Sequence, residues 1–525
     1  MTTPNRDNPD EAGRSGGRSD SPSDESVPSP DDLPGTAAGS VGHAGAAAGP
    51  KADASGTIQS GKLAGRTMWG AIWILAMPVL LQQTMQACVG LADKIFAGRL
   101  PQEMIRPGLD AVGVGSYIGW FVAIAMAGLG IGGQAIIARA MGGGRSEEAQ
   151  TALGEAISLS LIWGALVGVV LWFGVIPLAT MTGLTEEATG YLYEYVRTIA
   201  VAMPFCGVMM VGSMCLHGAG ETVKPSMIAI GVNLLNIVFS WFFSGVDLQF
   251  NGVVLENPSP FNLNVLGIAL GTAVSYLFGA IFTIYVLRRG VKDLKLEVAE
   301  LALSSSMSYR IVRIGVPNFM EGIAMWGVNL FILMFIGWIE VSHNTGGGLQ
   351  GAHVIAVQWE AFSFLPGFAI GIAAGALAGQ YLGAGNPAMA RKAIMACTMI
   401  GAIMMTSLGI VFIVAAEFLT RLISTDPIHL AETPSLLRIC GAVQIFFALT
   451  MVVRQGLRGV GDTRWTFIIT TVSSYGVRLP AAYLFGITFD MGLFGIWIAL
   501  CGEMVIRAML FLARFLHGGW QRIKV

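Results

Sequence analysis

Long apolar runs follow one another along almost the whole chain after residue 68. Each is close to or above the ~20 residues that a helix needs to cross ~30 Å of hydrocarbon. The pattern predicts twelve membrane-spanning helices, over residues 69–97, 110–141, 149–179, 190–214, 224–245, 264–288, 309–339, 351–383, 388–417, 434–458, 464–487 and 491–515. Several runs exceed the minimum length, so these helices have room to tilt. We therefore expect an all-α polytopic membrane protein.

The first 62 residues have a different composition. They are rich in Ser, Pro, Gly, Asp and Ala, and such a segment buries too little apolar surface to offset the entropy of ordering it. We predict a disordered cytoplasmic tail over residues 1–62. It lacks the apolar centre of a signal peptide, so we expect the first spanning helix to direct the chain to the membrane.

Basic residues concentrate in alternate loops. Loops after spans two, four, six, eight and ten carry Arg145, Lys224, Arg288, Arg289, Lys292, Lys295, Arg310, Arg313, Arg391, Lys392 and Arg464. The loops after spans three, five, seven and eleven contain acids but no Lys or Arg. Because basic loops stay in the cytoplasm, we expect both termini there, in a bacterial inner membrane. Arg99 and Arg106, after the first span, are an exception.

An internal repeat relates the two halves of the chain. AMPVLLQQTMQACVGLADKIF (77–97) parallels GVPNFMEGIAMWGVNLFIL (315–333), and CLHGAGETV (215–223) parallels GLRGVGDTR (456–464), at an offset near 240 residues. A parallel repeat predicts two six-helix bundles beside each other, related by an axis along the membrane normal. We assign residues 63–290 to an N-lobe, 291–308 to a cytoplasmic linker and 309–525 to a C-lobe with a short tail. A central cleft between them is the expected substrate path.

Composition excludes other classes of protein. Hydrophobic residues make up 54% of the chain and charged residues 12%, with a net charge of -2. That balance offers no basic footprint for nucleic acid. The six cysteines and six histidines show none of the spacings typical of zinc sites, redox pairs or metalloproteases. We therefore expect no enzyme activity, no bound metal and no cofactor.

Several motifs resemble those of the multidrug and toxin extrusion (MATE) family, over residues 63–515. They are MPVLLQQTMQACVGLADKIFAGRL in the first span, the loops ARAMGGG and QYLGAG, the turns HGAGET and RGVGDT, and VRLPAAYLF. The resemblance implies a MATE/MOP-type fold in a monomer. It also implies a secondary active antiporter that exports organic cations, drugs or other amphiphilic small molecules in exchange for H⁺ or Na⁺ by alternating access.

The resemblance directs attention to Asp93. This acid lies 15 residues after Pro78, roughly 22 Å along the helix, and matches the acid of the family's first span. An ionisable group within a membrane span is a functional hypothesis by default. The alternative is that Asp93 marks the helix end near the lipid headgroups, beside Lys94.

Further candidates come from the DinF/MepA-like branches, which the chain resembles more than NorM. These place an Asn, an Asp and a Thr around the first-span acid. Asn236 and Thr272 match the Asn and the Thr, whereas Ser240 replaces the Asp. With Asp93, these oxygens predict a transient Na⁺ site or a proton site. Hydrogen bonding between helices is the alternative role.

The C-lobe contains acids of its own. Glu321 follows Pro317, and Glu360 lies in VQWEAFSFLPGF. Two glutamates on facing helices can share a proton or bind a cationic substrate; alternatively, one pairs with a buried arginine or with the outer water layer. Gln82, Gln83, Trp326 and Trp359 are candidate cleft-lining residues. Glu503 and Arg507, four residues apart, are predicted to form a structural pair, with Arg478 as a further partner.

Two alternative functions remain. A lipid-linked sugar flippase or polysaccharide exporter of the same superfamily would share the helix count and the repeat, but needs a cationic cavity for pyrophosphate. From the sequence, the membrane core offers few candidate Arg or Lys. A polytopic membrane enzyme would need acids or histidines gathered in a loop, and the long outer loop over residues 246–263 offers only Asp247 and Glu256.

Overall fold

The computed structural model describes residues 67–97, 99–182, 186–250, 253–291, 293–342, 348–423 and 427–523. The tail predicted over residues 1–62 lies outside these ranges. The first six helices, here called the N-lobe, are α1 (Met68–Ala97), α2 (Ile105–Gly142), α3 (Ser146–Thr182), α4 (Glu186–Gly218), α5 (Val223–Ser244) and α6 (Asn264–Arg289). Between α5 and α6, strand β1 (Leu248–Phe250) pairs antiparallel with β2 (Val253–Leu255).

The remaining helices, here called the C-lobe, follow a short 3₁₀ turn at Val298–Leu301. They are α7 (Ser305–Ser342), α8 (Leu349–Gly383), α9 (Pro387–Val414), α10 (Ala416–Ile423), α11 (Pro427–Ala442), α12 (Gln444–Gly459), α13 (Thr463–Ser473), α14 (Leu479–Tyr483) and α15 (Gly492–His517). Two π-helical segments, Ser474–Arg478 and Leu484–Thr488, flank α14. The helical fold class predicted from the sequence is confirmed.

Ten helices in the described ranges are long and apolar enough to cross a membrane. The α11–α12 pair, bent by 57°, is an eleventh candidate, and it begins several residues before the predicted span over 434–458. The predicted span over 464–487 corresponds to α13, α14 and the two π segments. Pro480 sits in this region and removes a helical hydrogen bond while crowding the carbonyl four residues earlier. The wider π turns on either side accommodate that defect.

Helix ends follow local sequence rules. The Asn386 side chain caps α9 by accepting a hydrogen bond from the Met389 backbone N–H at 3.1 Å, and Pro387 occupies the first turn. Both residue types are favoured at these positions. At the end of α15, Gly518 adopts a φ of 73°, which reverses the chain. The reversal carries Trp520 into the interior, where it stacks on Phe515.

The first half of α1 packs in the C-lobe. Ile72 and Leu75 are fully buried in a cluster that includes Leu377 of α8, Phe511 of α15 and Trp520. At the other end of the same helix, Phe96 and Ala97 are buried in an N-lobe cluster. Helix α1 therefore connects the cores of both lobes, with Asp93 near its far end.

The lobes meet closely at the ends of α2 and α8, on the face predicted to be cytoplasmic. A Cβ on Gly142 would lie 2.0 Å from the carbonyl oxygen of Gln380, and a Cβ on Gly383 would lie 2.2 Å from that of Arg139. Side chains do not fit at such separations, so glycine is required at both positions. Gly142 and Gly383 occupy matching places in the repeated loops ARAMGGG and QYLGAG, and the contact is pseudo-symmetric.

Hydrogen bonds across this face are also reciprocal. Arg139 Nη2 of the N-lobe donates to the carbonyl oxygen of Val460 at 2.9 Å, and its Nη1 donates to the carbonyl of Ile523. Gln380 Nε2 of the C-lobe donates to the carbonyl oxygen of Gly218 at 3.2 Å. Val460 and Gly218 belong to the repeated turns RGVGDT and HGAGET. A side chain of each lobe therefore donates a hydrogen bond to the corresponding turn of the other lobe. We call these hydrogen bonds, together with the contacts of Gly142 and Gly383, the lobe clasp.

The linker region adds contacts between α3 and the start of α7. Ser308 donates to Glu155 Oε2 at 2.6 Å, and Ser304 donates to Oε1 of the same carboxylate. Arg310 forms an ion pair with Glu148 at 2.6 Å. These bonds hold the beginning of the C-lobe against the N-lobe on the same face as the lobe clasp.

Candidate functional site

Asp93 is buried near the end of α1, with 9% of its surface exposed. Its Oδ1 has no hydrogen-bond partner among the described residues. The carboxyl group interacts electrostatically with the phenols of Tyr195 on α4 and Tyr276 on α6. A buried carboxylate whose oxygens are not all hydrogen-bonded is costly when ionised. Asp93 is therefore buried beside the apolar residues of the N-lobe rather than solvated at the helix end.

The predicted partners of Asp93 lie in the same lobe. Asn236 Nδ2 donates to Thr272 Oγ1 at 2.9 Å, linking α5 to α6. Both side chains are buried, and Asn236 Oδ1 has no hydrogen-bond partner in the described part of the chain. Ser240 is also fully buried and donates to the carbonyl oxygen of Ile268 at 3.2 Å. These three residues thus form hydrogen bonds between helices, and one amide oxygen is left over to accept from a ligand.

One hydrophobic cluster borders both parts of this N-lobe site. It contains Ala92 and Phe96 beside Asp93, Ile237 beside Asn236, and Tyr276 one turn after Thr272. Tyr195 belongs to the same cluster. The apolar surroundings exclude water and strengthen electrostatic interactions inside them. The structure therefore places the predicted N-lobe residues in one low-polarity region.

Glu321 has a different environment. Its carboxylate is fully buried and lies 2.7 Å from Arg458 Nη2 and 3.5 Å from Arg454 Nη1, both on α12. Thr470 of α13 donates to Oε1 at 2.8 Å. Of the roles proposed from the sequence, the structure shows pairing with buried arginine.

Glu360 does not share the partners of Glu321. It is half-buried on α8 and interacts electrostatically with Arg478 and with the thiols of Cys440 and Cys501. Glu321 and Glu360 therefore belong to separate groups of side chains, so the structure does not support a proton shared between them.

The predicted structural pair in α15 is confirmed. Arg507 Nε lies 2.7 Å from Glu503 Oε1, and Arg478 Nη2 lies 2.8 Å from Glu503 Oε2. Arg507 also donates to the hydroxyl groups of Ser473 and Ser474, at 3.0 and 2.6 Å. All three charged side chains are buried. The network closes around α13, the first π segment and α15.

The four predicted cleft-lining residues lie at half-buried positions. Gln82 Oε1 accepts a hydrogen bond from Ser226 at 3.1 Å, which ties α1 to α5. Trp359 donates its indole N–H to the carbonyl oxygen of Leu419 at 3.1 Å and contacts Phe362. Half-burial of Gln83 and Trp326 is compatible with a cleft position, and their role stays a prediction.

Sequence reasoning missed four residues and misjudged one feature. Tyr195 and Tyr276 were not singled out, although phenols within spans are candidates for hydrogen bonding. Arg454 and Arg458 were not singled out either, although arginines four residues apart share a helix face. The statement that the membrane core has few candidate cations is wrong, because Arg454, Arg458, Arg478 and Arg507 all lie inside the C-lobe.

Comparison with known proteins identifies the fold and the family. The model of the MatE family matches this chain twice, over residues 78–242 and 317–484. The chain belongs to the MatE family. The two matches keep the offset predicted for the internal repeat, and together they span most of the described helices.

Relatives of this MatE chain include named transporters. The "Probable multidrug resistance protein NorM" of Thermotoga maritima is 26% identical over 450 residues, covering 85% of this chain and 92% of that protein. The multidrug resistance protein PmpM of Pseudomonas aeruginosa is 27% identical, covering 79% and 83%. A solved MATE transporter of the MOP superfamily, in an outward-facing conformation, superposes with a TM-score of 0.77 at 21% identity, covering 87% and 97%.

These comparisons confirm several predictions. The chain is a multi-pass membrane protein with the MATE/MOP fold, and its relatives are transporters rather than enzymes. Placement in the DinF/MepA-like branches, the monomeric state, the inner-membrane location and the orientation of the termini stay predictions.

Proposed function

We propose that this MatE protein is a secondary active antiporter that exports amphiphilic small molecules in exchange for H⁺ or Na⁺. The observation that carries the proposal is the burial of Asp93 in an apolar part of the N-lobe, where one carboxylate oxygen has no hydrogen-bond partner among the described residues. Such a group binds a cation to relieve the cost of its charge. The multidrug names of the relatives support drugs, including organic cations, as substrates.

The lobe clasp supports alternating access as the mechanism. Contact between the lobes at the predicted cytoplasmic face is what an outward-facing state requires, with release from the opposite face. Rocking of the lobes about the central cleft would break the clasp and open the cytoplasmic face. A coupling ion and a cationic substrate compete for Asp93, so arrival of one favours departure of the other.

Neutral oxygens near the same cluster bear on the choice of ion. A proton needs only the Asp93 carboxylate, whereas Na⁺ needs several oxygen ligands, which Asn236 and Thr272 would add. Asn236 Oδ1, which accepts no hydrogen bond from the residues that the structure describes, is the acceptor best suited to a cation.

Ethidium efflux tests the proposal. Cells of a drug-sensitive host would express wild type, Asp93→Asn or Glu187→Gln, the last a control at an exposed position at the start of α4. We expect wild type and the control to export ethidium and Asp93→Asn to accumulate it at equal expression. Loss of efflux with a protonophore in Na⁺-free medium would assign H⁺, and dependence on added Na⁺ would assign Na⁺. Full efflux by Asp93→Asn, or none by well-expressed wild type, would contradict the proposal.

A further inference from the structure

Two pairs of arginines in the C-lobe each share one glutamate. Arg478 and Arg507 surround Glu503, whereas Arg454 and Arg458 surround Glu321. Among the three side chains named in each group, positive charges exceed negative charges by one, and Glu360 is a further acid that interacts with Arg478. Burying such an excess is costly unless the donors are satisfied. The two groups differ in how many of the arginine N–H donors have a hydrogen-bond acceptor within the group.

The group around Glu503 is closely bonded. Arg478 binds Glu503 Oε2 through Nε at 3.1 Å and Nη2 at 2.8 Å. Arg507 binds Glu503 and two serine hydroxyls, and its Nη1 contacts the sulfur of Met325 at 3.5 Å. The exposed fractions of the arginine side chains are 6% and 0%. This group is a structural network between helices.

The group around Glu321 is under-coordinated. Two guanidinium groups offer ten N–H donors, whereas one carboxylate offers about four acceptor sites. Arg454 approaches Glu321 only at 3.5 Å, and the Nε atoms of Arg454 and Arg458 have no hydrogen-bond partner among the described residues. Gln455 Oε1 accepts from Arg458 at 3.0 Å. The exposed fractions are 11% and 13%, higher than in the other group.

This under-coordinated pair lies next to the seam between the lobes. Gly322, which follows Glu321 in α7, packs against α2 so closely that a Cβ there would meet Ile124 Cγ2 at 2.2 Å. The seam continues along α2 towards the lobe clasp, because a Cβ on Gly132 would lie 2.2 Å from the carbonyl oxygen of Ile311 in α7. Separation of α2 from α7 would therefore uncover the region of Glu321 and its arginines towards the predicted cytoplasmic face.

We propose that Arg454 and Arg458 form a binding site for an acidic group, a carboxylate or a phosphate, on a transported amphiphile. Arginine pairs bind such groups by charge-assisted, bidentate hydrogen bonds. Glu321 competes with the acidic group of the ligand for the two guanidinium groups. It pairs with them while the lobes are closed over the site. That the ligand is transported rests on the proposed function, whereas the binding site does not.

Two xanthene dyes of opposite charge test the site on the purified full-length protein in detergent. Fluorescein is anionic and rhodamine 6G is cationic, and the fluorescence anisotropy of each reports binding. We expect Arg458→Gln and Arg454→Gln to weaken fluorescein binding about tenfold, the value of one charge-assisted bond, and to leave rhodamine 6G binding unchanged. Arg514→Gln, which breaks the Arg514–Asp462 ion pair of 2.8 Å, is the matched control and should bind both dyes normally.

Glu321→Gln separates a binding site from a structural ion pair. Removing the competing carboxylate should strengthen fluorescein binding, whereas loss of a merely structural partner would weaken it or leave it unchanged. Arg458→Gln removes the closer of the two arginines that pair with Glu321. The double variant Arg458→Gln/Glu321→Gln therefore tests the loss of Arg458 without a weakly paired carboxylate, and melting curves verify folding. A wild type that binds both dyes equally, or a Glu321→Gln protein that loses fluorescein, would overturn the proposal.

Competition identifies the source of the acidic group. Dodecanoate represents a free amphiphilic acid, and undecaprenyl phosphate represents a lipid-linked phosphate such as a sugar flippase would carry. Displacement of fluorescein by either one supports the site and names its class of ligand, and displacement by neither contradicts it. If fluorescein binds as expected but cells export no dye, the antiporter proposal fails while the site stands.

Discussion

Asp93 of the N-lobe and two buried acids of the C-lobe, Glu321 and Glu503, have opposite surroundings. In the N-lobe, Asp93 lies near two phenols and apolar side chains, and within the described part of the chain its Oδ1 has no hydrogen-bond partner. In the C-lobe, Glu321 and Glu503 are each held by two arginines. The two repeats therefore share a helix pattern but differ in the charge of the side chains around these acids.

The difference decides whether a buried carboxylate keeps its charge or can take up a cation. A carboxylate paired with arginine has its charge fixed, because protonation would leave a buried cation uncompensated. A carboxylate among neutral groups gains when it takes up a cation. In the proposed function, coupling to the ion gradient belongs to Asp93, whereas Glu321 and Glu503 hold arginine side chains in place.

The largest expected effect concerns stability. Glu503→Gln should lower the free energy of unfolding by about 3 to 5 kcal/mol, because two buried arginines lose their partner. Asp93→Asn should leave stability unchanged or raise it, because it removes an uncompensated charge. Melting temperatures of the purified proteins in detergent would measure both. Similar losses in the two variants would erase the contrast between the lobes.

The clasp provides the next test. Gly142→Ala places a Cβ against the Gln380 carbonyl oxygen at 2.0 Å, so the lobes should no longer close on that face. Spin labels at Glu147→Cys in α3 and Ala388→Cys in α9, with the native cysteines replaced, would report a longer distance. Gly190→Ala in α4 is the control for an added methyl group, since its Cβ has open space and its backbone is helical. An unchanged distance in Gly142→Ala would contradict the clasp as the closed contact.

Single clasp bonds should have smaller effects. Removing one hydrogen bond costs about 1 kcal/mol, so Gln380→Ala should shift the ratio of closed to open molecules about fivefold. Arg139→Ala removes two bonds and should shift it further. The same spin labels measure both, and Arg438→Ala is the control because its ion pair with Glu417 is exposed. A larger shift in Gln380→Ala than in Arg139→Ala would reverse the expected asymmetry between the lobes.

The smallest effect is expected at the neutral N-lobe residues. Thr272→Val removes the acceptor for Asn236 at 2.9 Å and should cost about 1 kcal/mol of stability. If Na⁺ is the coupling ion, this variant should also require more Na⁺ for half-maximal ethidium efflux. Ser240→Ala, which loses a longer bond of 3.2 Å to Ile268, should change less. Equal Na⁺ dependence in wild type and Thr272→Val would remove Thr272 from the ion site.

The sequence predicted those features that depend on local pattern. Apolar runs defined the spans because lipid thickness sets their length, and Glu503 and Arg507 were paired correctly because four residues separate them on one helix. The π segments beside Pro480 were missed, since apolar periodicity does not reveal an extra residue in a turn. The 57° bend between α11 and α12 was missed because an apolar pattern does not show a change in the direction of a helix.

Partners from distant helices were harder to predict. The arginine pair of Glu321 comes from α12, more than 130 residues along the chain, and only tertiary packing brings it there. The phenols around Asp93 come from α4 and α6 and carry no charge to attract notice in a sequence. The sequence thus indicated which acids lie within the predicted spans, whereas the charged or neutral partners of each acid could be identified only from the fold.

The most direct test is the affinity of purified protein for ethidium at varied pH and Na⁺ concentration. Wild type, Asp93→Asn and Glu321→Gln would be compared by fluorescence titration. We predict that the coupling ion, H⁺ or Na⁺, weakens ethidium binding to wild type and to Glu321→Gln, because substrate and ion compete for Asp93. Binding to Asp93→Asn should be weaker and independent of both ions. If Asp93→Asn retained the ion dependence of wild type, coupling would not reside at Asp93.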